Sequence, residues 1–275
     1  MSVELIIAPP ATGKTATCIQ RIQAVQKAHP LAPIWVIVPD RLQAAAFRRK
    51  LATSGGAMGV QVGRFPDLFR HILEHEGTFK PSASAPLLHR LIQETVDSAV
   101  EENVIPYYQP LQLFPGFIIA LRDAFAELKR ALVTPEQFSA FTRTGNAAQK
   151  DLAVLYASYQ ERLLELGWTD PEESTWLAVK ALEQLPAAVS AIHLLIVDGF
   201  DSFNGAQNRV VKKLSDQVGE LVVTFPGMRN SARPAHRRFN DSIERLITDL
   251  SPKLTTLENT PFLPPVVKHL EEQLF

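Results

Sequence analysis

The chain has 275 residues, 46% of them apolar, and a formal net charge of −1. That length and apolar share exclude a disordered chain and allow one large domain or two ordinary ones, while the near-zero charge leaves any nucleic-acid binding to local patches. A single cysteine, Cys18, excludes an internal disulfide framework and any cysteine-based metal or iron–sulfur site.

Residues 1 to about 78 alternate apolar runs with helical patterns. "VELIIA" reads as a buried strand, and "TATCIQRIQAVQKA" follows with apolar residues at helical spacing. "APIWVIVPD" is a second strand and "RLQAAAFRRKLA" a second helix; "GVQVGRF" is a shorter strand, and "PDLFRHILEHE" opens a helix with proline in its first turn. Residues 79–189 carry almost no strand signal and repeat apolar residues every three or four positions, as in "FPGFIIALRDAFAELKRALV" and "AAQKDLAVLYASYQERLLELG". The aromatics of this stretch (Phe114, Phe117, Phe125, Tyr156, Tyr159, Trp168 and Trp176) are spaced as helix-core residues. Strand texture returns over 190–260 in "AIHLLIVDGF" and "ELVVTF", with the helical "NGAQNRVVKKLSDQV" between them. The economical fold is α/β: one parallel sheet flanked by helices, interrupted by an all-helical insertion. Three sequential domains would leave each β part with too few strands to cover itself. Residues 261–275 form a tail.

"LIIAPPATGKTATC" places Thr12, Gly13, Lys14 and Thr15 between the first strand and its helix. The phosphate-loop pattern is G-x-x-x-x-G-K-[ST], and Ala8 stands at its first position. The backbone amides of Ala11 to Thr15 are expected to turn around phosphate oxygens. Lys14 would reach the outer phosphates and Thr15 would offer a hydroxyl to Mg²⁺. Pro9 and Pro10 cannot donate hydrogen bonds, but they lie in the early arm of the loop. An ordinary strand–helix turn is the competing reading. A phosphate loop needs an acid at the end of a neighbouring strand, and Asp198 in "HLLIVDGF" fits that place; the plain alternative is an Asp-Gly turn.

These residues resemble superfamily 1 helicases. "VDGFDSFNGAQ" (197–207) is similar to the helicase motif V-D-E-F-Q-D-T-N-x-x-Q at Val197, Asp198, Phe200, Asn204 and Gln207. "APPATGKT" resembles that group's A-G-x-G-T-G-K-T, where alanine commonly leads. "VGRFPDLFRHIL" resembles the motif that touches single-stranded DNA, and "LGWTDPEESTWLAVKAL" the segment before the catalytic acid strand. "IVDGFDSF", "PGFIIALRDAFAELKRALVTPEQF" and the ending "PFLPPVVKHLEEQLF" resemble the AddB family, the B subunits of AddAB helicase–nucleases. The resemblance implies a RecA-like phosphate-loop domain with a helical insertion of the 1B type. It further implies ATP and Mg²⁺ as cofactors, duplex DNA ends or single strands as substrate, a role in double-strand break repair, and an AddA-type partner. Its metal ligands would be Thr15 and Asp198.

Two departures bear on mechanism. Gly199 stands where helicases carry the glutamate that activates water, so the resemblance implies nucleotide binding with slow or absent hydrolysis. After "ELVVTF" the chain reads Pro226-Gly227-Met228-Arg229-Asn230, without the glutamine that senses the γ-phosphate. No catalytic residue is assigned, and Asp201 reads as a solvated turn carboxylate. No second RecA-like domain or cysteine-bearing nuclease domain is legible, so the sequence reads as the N-terminal part of a longer protein or a degenerate relative. Candidate DNA contacts are Arg64 and Phe65, whose ring could stack on a base, and the turn-rich cluster Arg229, Arg233, Arg237 and Arg238. "AFRRKLA", with Arg48, Arg49 and Lys50, is a second basic cluster read chiefly as a solvated face. With no basic leader and no apolar run of about 20 residues, a cytoplasmic protein without a membrane anchor is expected. The competing functions are an active phosphate-loop ATPase of another class and a nucleotide-free scaffold of the RecC kind.

Overall fold

The computed structural model describes residues 2–184, 187–227 and 234–257. The described residues fall into two compact units, one drawn from 1–76, 179–203 and 207–275, the other from 77–178 with Asn204–Ala206.

The first unit is built on β1 (Ser2–Ala8), β2 (Ile34–Ile37), β3 (Val60–Gly63), β4 (Leu194–Val197), β5 (Glu220–Pro226) and β6 (Lys253–Thr256). Every pairing is parallel and the order is β3-β2-β4-β5-β1-β6. "IWVI" and "LLIV" are buried at every position, as strands covered by helices on both faces must be. The covering helices are α1 (Lys14–Ala28), α2 (Arg41–Thr53), α3 (Phe65–His75), α9 (Ala187–Ser190), α10 (Gly205–Ser215) and α11 (Pro234–Leu250), in chain order around the second unit's helices named below. Cys18, Ile19, Ile22 and Val25 form the buried stripe of α1, and Cys18 is a buried free thiol, pushed well above its usual pKa by burial. The Asp40 carboxylate caps α2 by accepting from the Gln43 amide at 2.8 Å. Because all strands run parallel, the loops after β1, β4 and β5 leave the sheet along one edge, where ligands of open α/β sheets bind.

Two features depart from the sequence reading. β6 pairs with β1 through Glu4–Ile7, although "KLTT" carries little apolar signal. The stretch read as turn-rich is helical from Pro234, so Arg237 and Arg238 lie on α11, which proline opens in the position it favours. Arg229 and Arg233 lie outside the described residues.

The second unit is helical: α4 (Ala85–Glu101), α5 (Pro115–Arg130), α6 (Pro135–Thr142), α7 (Ala147–Glu165) and the start of α8 (Pro171–Gln184). Its core gathers Leu91, Ile92, Val96, Phe117, Ile118, Phe125, Tyr156 and Tyr159, with Trp168 and Trp176 packed against it. Phe114 differs from the expectation: it precedes α5 as its cap and stays 60% exposed. At the centre of this apolar unit lies a fully buried ammonium, Lys129, whose Nζ is 2.5 Å from Asp170 Oδ2 and 3.5 Å from Glu173 Oε2. Tyr159 donates to the same Asp170 oxygen at 2.8 Å, Asp170 Oδ1 caps α8 through the Glu173 amide at 2.7 Å, and Gln160 donates to Glu173 at 2.8 Å. Two carboxylates thus share one ammonium out of water, and burial raises the Glu173 carboxyl above its usual pKa, partly offset by Lys129.

Lys129→Met strands both acids and should cost about 3–5 kcal/mol of unfolding free energy, read by denaturant melts. Glu173 also sets a pH slope. Its folded-state pKa is raised, so the folded unit retains a proton that the unfolded chain has lost. Stability is full below the ordinary carboxylate value and declines as pH rises through the raised one. Melting temperatures across that window should flatten in Glu173→Gln; an unchanged slope would assign it to other groups.

Candidate nucleotide-binding site

The loop after β1 is shaped by two left-handed residues. Gly13, at φ +93°, precedes the first residue of α1, and Ala11 holds φ +58°. A Cβ in this region costs about 1–2 kcal/mol, the kind of strain kept at functional loops. Thr12 is buried and its hydroxyl donates to the Pro9 carbonyl at 2.8 Å. Pro9 and Pro10 lack amides, yet the Pro9 carbonyl pins the loop, accepting from Lys14 Nζ at 2.7 Å as well; the Ala8 carbonyl accepts from Lys14 at 2.6 Å. The Thr17 amide donates to the Gly13 carbonyl at 2.9 Å, so the amides ahead of it precede the helical ladder. A cavity of about 710 Å³ opens against Ala11–Ala16 and continues along Ile19, Gln20 and Gln23 to Lys50, Thr53 and Ser54. Burial lowers the Lys14 pKa, and the nearby Asp198 charge works against that shift.

The second half of the site lies at the end of β4. Asp198 is 5% exposed, and its amide donates to the Ile37 carbonyl at 2.9 Å. Its Oδ2 accepts from the Thr15 hydroxyl at 2.9 Å, across 183 positions of sequence. Its Oδ1 accepts from the fully buried Thr224 hydroxyl at 2.5 Å. Sequence reasoning named Thr15 and Asp198 as a pair but missed Thr224. The available signal was a hydroxyl inside the apolar "LVVTF" strand. That strand lies between β1 and β4, so Ile6 on β1 pairs with Thr224 while Val197 pairs with Val223.

Among the described residues no group of three or more His, Cys, Asp or Glu gathers as a metal cage. The set present, one carboxylate and one hydroxyl beside an ammonium and helix-start amides, fits Mg²⁺, which takes one or two carboxylates and completes its shell with water and phosphate oxygens.

Gly199 holds φ +85°, and its amide donates to Thr224 Oγ1 at 3.3 Å. A Cβ built there would stand 2.4 Å from Gln43 Oε1 and 3.6 Å from Pro39 Cδ. The glutamine can swing away, but the left-handed backbone penalises every side chain. Asp201 is exposed and accepts from the Ser202 hydroxyl at 3.3 Å.

The other candidates are distributed. Arg64 caps α3: its amide donates to Asp67 Oδ2 at 2.9 Å and its Nε lies 3.4 Å from the same oxygen. It also lines a cavity of about 590 Å³ with Arg41, Arg48 and Trp35. Phe65 is 4% exposed, its ring packed against Phe69, Phe200 and Phe203 at centroid distances of 5.7, 5.3 and 6.2 Å. Its faces are covered, so a base would reach it only after that cluster opens.

Fold and site together define a parallel α/β domain that gathers a lysine, two threonines and a buried aspartate at the carboxyl ends of its strands. The chain belongs to the family described as ADDB, N-terminal, whose model matches residues 5–251. Among its relatives, the B subunit of the ATP-dependent helicase/deoxyribonuclease of Exiguobacterium sibiricum is 27% identical over 78% of this chain and 19% of its own length. The proteins of the same name from Moorella thermoacetica and Staphylococcus aureus are 25% and 21% identical, covering 88% and 92% of this chain and 22% of their own lengths. The chain thus spans about a fifth of these relatives. No helix among the described residues is long and apolar enough to cross a membrane.

Gly199→Ala should lower stability by about 1–2 kcal/mol, since it forces a Cβ into the left-handed region. Gly199→Glu should be destabilised at least as much. A thermal melt at or above wild type for either variant would show that the backbone there relaxes freely.

Proposed function

We propose that this domain holds ATP with Mg²⁺ at the loop after β1 and hydrolyses it slowly or not at all. The reading places it in the helicase-like B subunit of a cytoplasmic helicase–nuclease that processes DNA ends for repair. The observation that carries it is the Thr15–Asp198 hydrogen bond of 2.9 Å beside Lys14, which unites the two halves of a phosphate-and-metal site from opposite ends of the sequence. In this reading the amides of Ala11, Thr12, Gly13, Lys14 and Thr15 cradle phosphate oxygens, and Lys14 exchanges its carbonyl partners for phosphate charge. Thr15 donates its proton to Asp198 and keeps its lone pairs for the cation, while Asp198 Oδ2 supplies the carboxylate. Bound Mg²⁺ would neutralise phosphate charge.

Slow turnover is supported by Gly199, which puts no carboxylate where water would need activating. The sheet halves 1–78 and 190–260 are RecA-like in this reading, and the helical stretch 79–189 is a 1B-type insertion. The family supports DNA as substrate and a partner subunit; in this reading Arg64, Phe65 and the 229–238 arginines are the contacts and the partner is of the AddA type. A nucleotide-free scaffold has one observation in its favour: Lys14 is already satisfied by the Ala8 and Pro9 carbonyls.

Titration with labelled ATP, with and without Mg²⁺, separates these readings. Lys14→Ala should weaken binding by roughly 10–100-fold, the equivalent of a charge-assisted hydrogen bond worth about 1.5–3 kcal/mol. ATPase activity in the same samples should stay near background. No ATP binding in wild type points to the scaffold; fast Lys14-dependent turnover points to an ATPase with another base. The ammonium must be protonated to meet phosphate, so affinity should fall as pH rises through the lowered Lys14 pKa, earlier than for an ordinary lysine.

A further inference from the structure

The carboxylate at the end of β4 has one partner that the nucleotide reading does not use. Thr224 is fully buried on β5, between the strand that carries the loop and the strand that carries the acid. Its hydroxyl does two things at once: the proton goes to Asp198 Oδ1 at 2.5 Å, and the oxygen accepts from the Gly199 amide at 3.3 Å. The ionised carboxylate can only accept, so the one hydroxyl proton goes to Asp198 and a lone pair is left for the Gly199 amide. One carboxylate oxygen is thereby committed inward, and Oδ2 alone is left facing Thr15.

We propose that Thr224 is a positioning residue for the metal half of the site. It orients Asp198 to present a single oxygen beside the Thr15 hydroxyl, and through the Gly199 amide it locks the left-handed backbone that follows. This inference rests on the nucleotide reading. Its consequence is a division of labour: Lys14 and the loop amides set affinity for phosphate, while Thr224 sets affinity for the cation. Orienting partners of metal-binding groups contribute about 10–100-fold to metal affinity when removed. The same chain of bonds joins the acid to Gly199, so the feature that removes the water-activating group and the feature that aims the carboxylate belong to one hydrogen-bonded unit.

The test uses Thr224→Val, which keeps the shape and loses the hydroxyl, and Thr224→Ser, which keeps the hydroxyl. Mn²⁺, a spectroscopic stand-in for Mg²⁺, is titrated by EPR with ATP present. Metal-free ATP binding, thermal melts and exchange of the Gly199 amide are recorded on the same samples. Thr224→Val should weaken Mn²⁺ by about 10–100-fold, leave metal-free ATP binding within about twofold and expose the Gly199 amide to exchange, and Thr224→Ser should restore all three. Wild-type Mn²⁺ affinity in Thr224→Val, with Lys14-dependent ATP binding intact, overturns the assignment and leaves the nucleotide reading standing. A loss of Mn²⁺ binding that Thr224→Ser fails to restore, in a variant that melts like wild type, overturns it too. Absence of Lys14-dependent ATP binding in wild type overturns both.

Discussion

The strand-end site depends on keeping one buried carboxylate hydrogen-bonded. Asp198 sits at 5% exposure among strands that are otherwise apolar, where an uncompensated charge would cost several kcal/mol. Three groups compensate it or fix its place: the Thr15 hydroxyl from the start of α1, the Thr224 hydroxyl from β5, and the Ile37 carbonyl, which anchors the Asp198 amide to β2. They come from elements far apart in sequence and adjacent only in the observed strand order. Were β5 not between β1 and β4, the hydroxyls could not flank the carboxylate. The order of the sheet and the chemistry of its edge are one constraint seen at two scales.

Under the nucleotide reading, the same edge separates holding a ligand from transforming it. Holding a polyphosphate calls for amides ahead of a helix, a cation and a metal ligand; each acts in the ground state through charge complementarity. Transforming it calls for a group that gains its interaction only as the transition state forms. At Gly199 the second requirement is hard to meet by side-chain replacement alone, because the left-handed backbone and the Gln43 side chain both oppose a Cβ. The lack of a side chain at position 199 is therefore matched by the main chain, and the Thr224–Gly199 bond helps hold that conformation.

Much of this was legible in the sequence because the signals are local. Apolar runs ending in Ala8, Val38 and Val197 mark strands buried on both faces, and the helical spacing of Cys18, Ile22 and Val25 marks the helix that covers them. Thr15 and Asp198 could be paired because each belongs to a motif with a known chemical complement. Thr224 could not, since its meaning depends on which strand lies beside β4, and strand order is not a local property. β6 escaped for a related reason: "KLTT" is largely exposed on the sheet's edge and derives its strand character from pairing with β1. Phe65 shows the same dependence on strand order. Its motif position marked a ring that could stack on a base, and Phe200 and Phe203, distant in sequence, pack against it.

A domain that holds nucleotide without spending it has a different relation to its ligand from a motor's. A ligand that binds the folded state and is not consumed adds stability that grows with the logarithm of its concentration, with no cycle to release it. The cavity beside the loop is wide and runs on to Lys50 and Thr53, and its α1 wall is Ala16, Ile19, Gln20 and Gln23, of which Ile19 also packs the sheet. Occupancy would then stiffen α1 and, through Thr15, the Asp198 cluster that ties β2, β4 and β5 together. Under the nucleotide reading, the bound ligand acts as part of the core, and Lys14, Thr15, Asp198 and Thr224 are under structural constraint for the same reason that they can bind it.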